Sequence, residues 1–84
     1  MTNDPIESTV KDFILEEFLP GERPDALTAD TALVTEGILD SLATLRLVSF
    51  LEKQYKISIA PHEVDPEYLD TLPRIAALVR SKLG

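Results

Sequence analysis

Apolar residues at Ile6, Val10, Phe13, Ile14 and Phe18 recur at helical spacing, with Lys11, Asp12, Glu16 and Glu17 largely between them. That period predicts an amphipathic helix. Asp4 supplies a cap, Pro5 suits the first helical position, and Glu7 stands three residues after Asp4, as in a capping box. Pro20-Gly21 ends the helix. From 20 to 40 the period is lost: Pro20, Gly21, Pro24 and Gly37 interrupt scattered Leu27, Ala32, Leu33, Ile38 and Leu39. The segment reads as one long loop, of the kind that is usually functional or disordered, and Leu33, Ile38 and Leu39 pin it to a core. A second helix runs from about Ser41 to Tyr55 with Asp40 as its cap. Residues 56–61 alternate briefly and end at Pro61, which predicts an extended connector burying Ile57 and Ile59. Asp65-Pro66-Glu67-Tyr68-Leu69 makes one short helical turn. Thr71 caps a last helix bearing Leu72, Ile75, Ala76, Val79 and Leu83, with Arg80 and Lys82 near its C-terminal end, where cations are favoured. The expectation is an all-α fold: a single domain over 1–84, a small four-helix bundle of three main amphipathic helices and one short one, with a long loop between the first two.

The second helix carries two apolar faces. Thr44, Leu47, Val48, Leu51 and Tyr55 have the period of a core stripe, whereas Leu42 and Leu45 lie off it on a face shared with Ser49, and Phe50 lies off both. Two readings stay open for Leu42 and Leu45: the long loop covers them, or they form an exposed docking surface beside Ser41. Ser41 itself follows Asp40 at the helix start. A hydroxyl there projects from unpaired backbone amides and the positive end of the helix dipole, which suits a serine bearing a phosphate ester. It is equally a position for an ordinary cap.

Charge alters the picture. Fifteen acids against eight bases give a net charge of −7. Residues 1–40 hold ten acids and two bases, while 41–84 hold five acids and six bases, so the excess lies in the first helix and long loop. This sign argues against nucleic acid and against an anionic membrane surface. No apolar run approaches the length of a membrane span, and the start of the chain lacks a basic stretch followed by an apolar one. A cytoplasmic, monomeric, partner-binding protein is expected.

Chemistry is sparse. The chain has no Cys and one His, which removes disulfides, thiolate metal sites, a cysteine nucleophile and paired imidazoles. Asp65, Glu67 and Asp70 lack the glycine and spacing of a calcium loop, so no metal site is expected. Nothing orients His62 toward Ser41, so a triad of Ser41, His62 and Asp65 is not supported and no enzymatic activity is expected.

The run Asp30-Thr31-Ala32-Leu33, then Gly37-Ile38-Leu39-Asp40-Ser41-Leu42, then Leu51-Glu52 and Tyr55-Lys56-Ile57-Ser58-Ile59, resembles the acyl carrier protein family, as does Thr71 followed by Leu72 and Ile75. The resemblance covers nearly the whole chain in order. It implies a 4′-phosphopantetheine arm, taken from coenzyme A, joined to Ser41 by a phosphodiester, with acyl or aminoacyl groups held as thioesters on the arm's thiol. It further implies that Asp40 caps the helix and helps engage a phosphopantetheinyl transferase and its metal ion, and that Leu42 packs near the arm and partners. The implied partners are that transferase, an acyl- or aminoacyl-loading ligase, and a downstream acyltransferase or synthase. Carriers of fatty acid synthesis have a strongly acidic helix after the serine. Here Ser41–Tyr55 sets Glu52 against Arg46 and Lys53, which speaks against a fatty-acid role, and the Gly37-Ile38-Leu39-Asp40-Ser41-Leu42 form looks closer to free-standing carriers of polyketide, peptide or aminoacyl pathways, D-alanyl carriers included. Docking would then use Leu42, Leu45, Arg46 and Ser49, with Glu36 from the acidic loop. The alternative is an unmodified helical adaptor in which Ser41 only caps.

Overall fold

The computed structural model describes residues 4–21, 23 and 27–83. Among these the chain is helical without strands: α1 (Pro5–Phe18), α2 (Ser41–Tyr55), the single turn α3 (Pro66–Leu69) and α4 (Leu72–Leu83), with a 3-10 turn at Pro61–Glu63. The cap and period signals account for these elements. Asp4 Oδ1 accepts from the amides of Ile6 (2.9 Å) and Glu7 (3.4 Å), so α1 begins where expected. The Asp4 carboxylate also pairs with Arg80 of α4, whose Nη2 donates to Oδ1 at 2.7 Å and whose Nη1 donates to Oδ2. Asp65 caps α3 through the Glu67 amide, and Thr71 Oγ1 accepts from the Arg74 amide at the start of α4.

The core is one continuous cluster. α1 contributes Ile6, Val10 and Ile14; α2 contributes Ala43, Leu47, Val48 and Leu51; α4 contributes Leu72, Ile75, Ala76, Leu78 and Val79. α1 and α4 make the most extensive helix contact, and since the start of α1 lies against the end of α4 the two run antiparallel. The long loop is pinned by Leu27, Leu33 and Leu39, all buried, while Ile38 is only partly so. Ile59 is buried as expected and Ile57 only partly. Each fully buried leucine or isoleucine contributes roughly 1.5–3 kcal/mol, so Leu27, Leu33 and Leu39 hold their part of the loop to the core.

Two assignments in α4 change. Leu83, expected in the core, is 54% exposed, because the helix end extends past its packing partners; Leu78, outside the expected stripe, is buried. Tyr55 is half-buried rather than core. Behind α2, Lys56 takes a left-handed conformation (φ 55°) that turns the chain, and Glu52 Oε2 accepts from the Ile59 amide at 2.9 Å to fasten the connector. Glu63 is buried with its carboxylate taken by Lys82 Nζ (2.6 Å) and the Ala60 amide (2.8 Å), which ties the 3-10 turn to α4.

Candidate functional site

The approach to α2 is built by the loop's last turns. The Glu36 amide donates to the Ala32 carbonyl and the Gly37 amide to Val34, and Gly37 has φ +82°, a conformation that glycine adopts without strain. Leu39 then enters the core while its amide donates to the Leu33 carbonyl at 2.8 Å. Asp40 is extended, and its Oδ1 accepts from the Ala43 amide at 2.8 Å. Its carbonyl accepts both the Thr44 amide (2.8 Å) and the Thr44 hydroxyl (2.7 Å), so the first turn is closed twice.

Ser41 is thereby the first helical residue, and its side chain is exposed. Among the described residues the amides of Ser41 and Leu42 take no hydrogen-bond partner. An anion attached to the Ser41 hydroxyl would meet those amides and the positive end of the α2 dipole. Beside Ser41 lies a groove of about 530 Å³. Val34, Gly37 and Leu39 of the loop form one wall, Val64, Asp65 and Pro66 at the start of α3 form the other, and Asp40, Ser41, Thr44 and Leu45 line the α2 side.

Leu42 and Leu45 are exposed, at 65% and 55%, so the long loop does not cover them. Leu45 also borders a second, shallower hollow of about 430 Å³ between α1 and α2, with Arg46, Ser49, Lys53, Phe13, Phe50 and Glu17. The rings of Phe13 and Phe50 stack there, 4.1 Å apart and 14° from parallel. The expected site residues therefore separate. Asp40, Ser41 and Leu45 meet at the groove, Arg46 and Ser49 join Leu45 at the second hollow, and Leu42 and Glu36 are exposed but line neither. With Glu52 turned back to the connector, Arg46 and Lys53 are the exposed charges of α2.

Sequence reasoning missed the far wall, Val64 to Pro66, because only the packing of α3 brings it opposite Ser41. His62 is exposed, and among the described residues no bond joins it to Ser41. No group of His, Asp and Glu among them could hold a metal ion. Among the described residues no helix is long and apolar enough to cross a membrane.

The family model described as "Phosphopantetheine attachment site" matches residues 14–80, which spans the loop, Ser41 and α2 to α4. The chain belongs to the acyl carrier protein family. It is 37% identical over 75 residues to the "Probable acyl carrier protein PigG" of Serratia sp. (strain ATCC 39006), covering 89% of this chain and 85% of that one. It is 43% identical over 53 residues to the "D-alanyl carrier protein" of Lactococcus lactis subsp. cremoris (strain MG1363), covering 63% of this carrier and 67% of that protein. Among solved structures, a chain from "Crystal structure of FAD-dependent dehydrogenase" aligns with a TM-score of 0.75 and 36% identity, over 83% of this chain and 97% of that one. "Structure of KstB-PCP(apo)" aligns with a TM-score of 0.68 and 28% identity, over 88% and 81%.

The carrier holds acyl or aminoacyl intermediates on a covalent 4′-phosphopantetheine arm and works with phosphopantetheinyl transferases and with synthetase or ligase partners. Proteins of this kind are generally not catalytic themselves. The residues present fit the arm: an exposed hydroxyl, two unpartnered amides behind it and a groove alongside. When bound, the arm supplies the thiol that this chain lacks altogether. The carrier's own contribution is to hold the Ser41 hydroxyl outward on a twice-closed helical turn. Asp40, the carboxylate next to Ser41 in the chain, gives its Oδ1 to the Ala43 amide.

Proposed function

We propose that Ser41 is the residue that receives the arm, and that the protein is a free-standing carrier presenting acyl or aminoacyl thioesters in a secondary-metabolite pathway. The observation that carries this reading is the exposed Ser41 hydroxyl at the start of α2, on the rim of the groove. The nearly neutral α2, with Arg46 and Lys53 outward, is unlike the acidic helix of fatty-acid carriers and supports the same pathway class. A loading ligase and a downstream acyltransferase or synthase would dock on Leu42, Leu45, Arg46 and Ser49, with Glu36 at the edge, and Asp40 would help engage the transferase. Residues 1–84 act as a single, monomeric, cytoplasmic domain in this reading.

The test is to incubate the purified protein with coenzyme A and a broad-specificity phosphopantetheinyl transferase and read the intact mass. One added arm is expected on the wild type and none on Ser41→Ala. An unchanged wild-type mass would leave the helical adaptor, with Ser41 as a cap, as the better account.

One similarity favours a particular downstream partner. The solved chain from the FAD-dependent dehydrogenase structure is matched over 97% of its length, so it is itself about the size of this carrier. A flavoenzyme that oxidises the tethered acyl group, taking two electrons and two protons from it, is accordingly among the partners to test.

A further inference from the structure

Asp70 stands between α3 and α4, 36 residues from Val34 in sequence. Its Oδ1 accepts from the amides of Val34 and Thr35, both at 2.9 Å, and its Oδ2 accepts from the Thr35 hydroxyl at 2.8 Å. Its backbone carbonyl accepts from the Leu33 amide at 2.6 Å, and its own amide donates to the Pro66 carbonyl at the start of α3. One residue therefore grips both walls of the groove: the loop wall at 33–35 and the α3 wall at Pro66. The grip is passed on, because the Leu33 carbonyl accepts from the Leu39 amide, one residue before the cap of α2.

We infer that Asp70 is a positioning residue for the modification of Ser41, a clasp that sets the separation of the two groove walls and the path by which the loop delivers Asp40 and Ser41. This rests on Ser41 being the attachment point. The three donors it holds are on a half-buried and an exposed residue, so water can replace the carboxylate. Losing the clasp then frees the 33–39 turns while Leu27, Leu33 and the helix core keep the bundle folded. Hydrogen bonding from the Thr35 amide first, then from its hydroxyl and from Val34, with Arg74 nearby, holds the Asp70 carboxyl below the usual 3.8 against some desolvation. The contact is thus one between charged acceptor and neutral donors, of the stronger kind.

The experiment measures transfer of the arm from coenzyme A by a purified broad-specificity transferase, with carrier concentration varied, for wild type, Asp70→Ala and Asp70→Asn. A loosened turn leaves only a fraction of molecules competent, which divides the apparent dissociation constant by that fraction, and so raises it, while sparing the saturated rate. Asp70→Ala is expected to raise KM for the carrier about five-fold with kcat within about two-fold. Asp70→Asn, whose amide oxygen can still accept from the Val34 and Thr35 amides but carries no charge, is expected to bring KM most of the way back to the wild-type value. A wild-type KM in a folded Asp70→Ala protein, or no rescue by asparagine, overturns the inference.

A second readout needs no folded alanine variant. In wild-type protein the amide resonances of Val34 and Thr35 are expected to titrate with the Asp70 carboxyl, at one shared midpoint below 3.8. Separate midpoints overturn the clasp. Failure of the wild type to accept the arm at all would instead count against Ser41, so the two readings fail separately.

Discussion

Asp40 joins two roles that one atom can separate. Its Oδ1 caps α2 through the Ala43 amide, and its charge sits one residue from Ser41, the proposed attachment point. Asparagine keeps an acceptor oxygen and is as good a cap, whereas alanine has none. Asp40→Ala is therefore expected to lower stability by about 1 kcal/mol in urea denaturation, and Asp40→Asn by no more than a few tenths. If the charge helps engage the transferase and its metal ion, Asp40→Asn will still slow arm transfer about ten-fold or more, the usual loss for a group that supports a metal site. Equal transfer rates for wild type and the asparagine variant would reduce Asp40 to a cap. Ser41 shows the same division, since its exposed hydroxyl makes no bond to the chain among the described residues and its loss should leave folding intact.

At the scale of the helix, α2 presents one leucine stripe inward and another outward. Leu47 is fully buried and Leu45 is 55% exposed, two residues apart. Leu47→Ala should cost about 2–5 kcal/mol, as cavity-forming core substitutions do, while Leu45→Ala should stay within about 0.5 kcal/mol. Leu45→Arg is expected to keep its far-ultraviolet circular dichroism and yet impair transfer to a cognate enzyme; collapse of the fold would put Leu45 in the core instead. The two-stripe pattern was legible in the sequence because a buried stripe obeys the helical period and leftover leucines then stand out. Caps at Asp4, Asp40 and Thr71 were legible for the same local reason. Leu78 and Leu83 exchanged expected places because the end of α4 is set by where its neighbours stop, which no period records. Asp70 was visible only as one acid among three, since its donors lie across the fold at Val34 and Thr35. The groove's far wall was likewise unreadable, as it depends on where a four-residue helix packs.

Across the whole molecule, acid stability follows from carboxylates held in their charged form. Asp4 is lowered by its bond from Arg80, Glu63 by its bond from Lys82 and Asp70 by Thr35. Each favours the folded state above its unfolded value, 3.8 for aspartate and 4.5 for glutamate, and that stabilisation is lost as pH falls through the lowered folded value. Glu7 runs the other way: desolvation first, and then the Asp4 charge, raise it above 4.5, so its protonation relieves the folded protein at slightly higher pH. Thermal melts should therefore show a plateau or slight rise on acidification toward pH 5 and a steady loss of Tm below about pH 4. Glu7→Gln should remove the rise and leave the loss. A Tm that stays level down to pH 2 would mean that these pairs do not hold in solution.

The antiparallel contact of α1 and α4 also fixes how the bundle answers mechanical load. Because Asp4 meets Arg80 where the two helices begin and end, a pull on the two chain ends draws the helices apart at that pair and peels them one turn at a time. Contacts broken in succession resist far less than contacts sheared together. Held between two anchored points, this bundle would yield as a zipper does, from its ends inward.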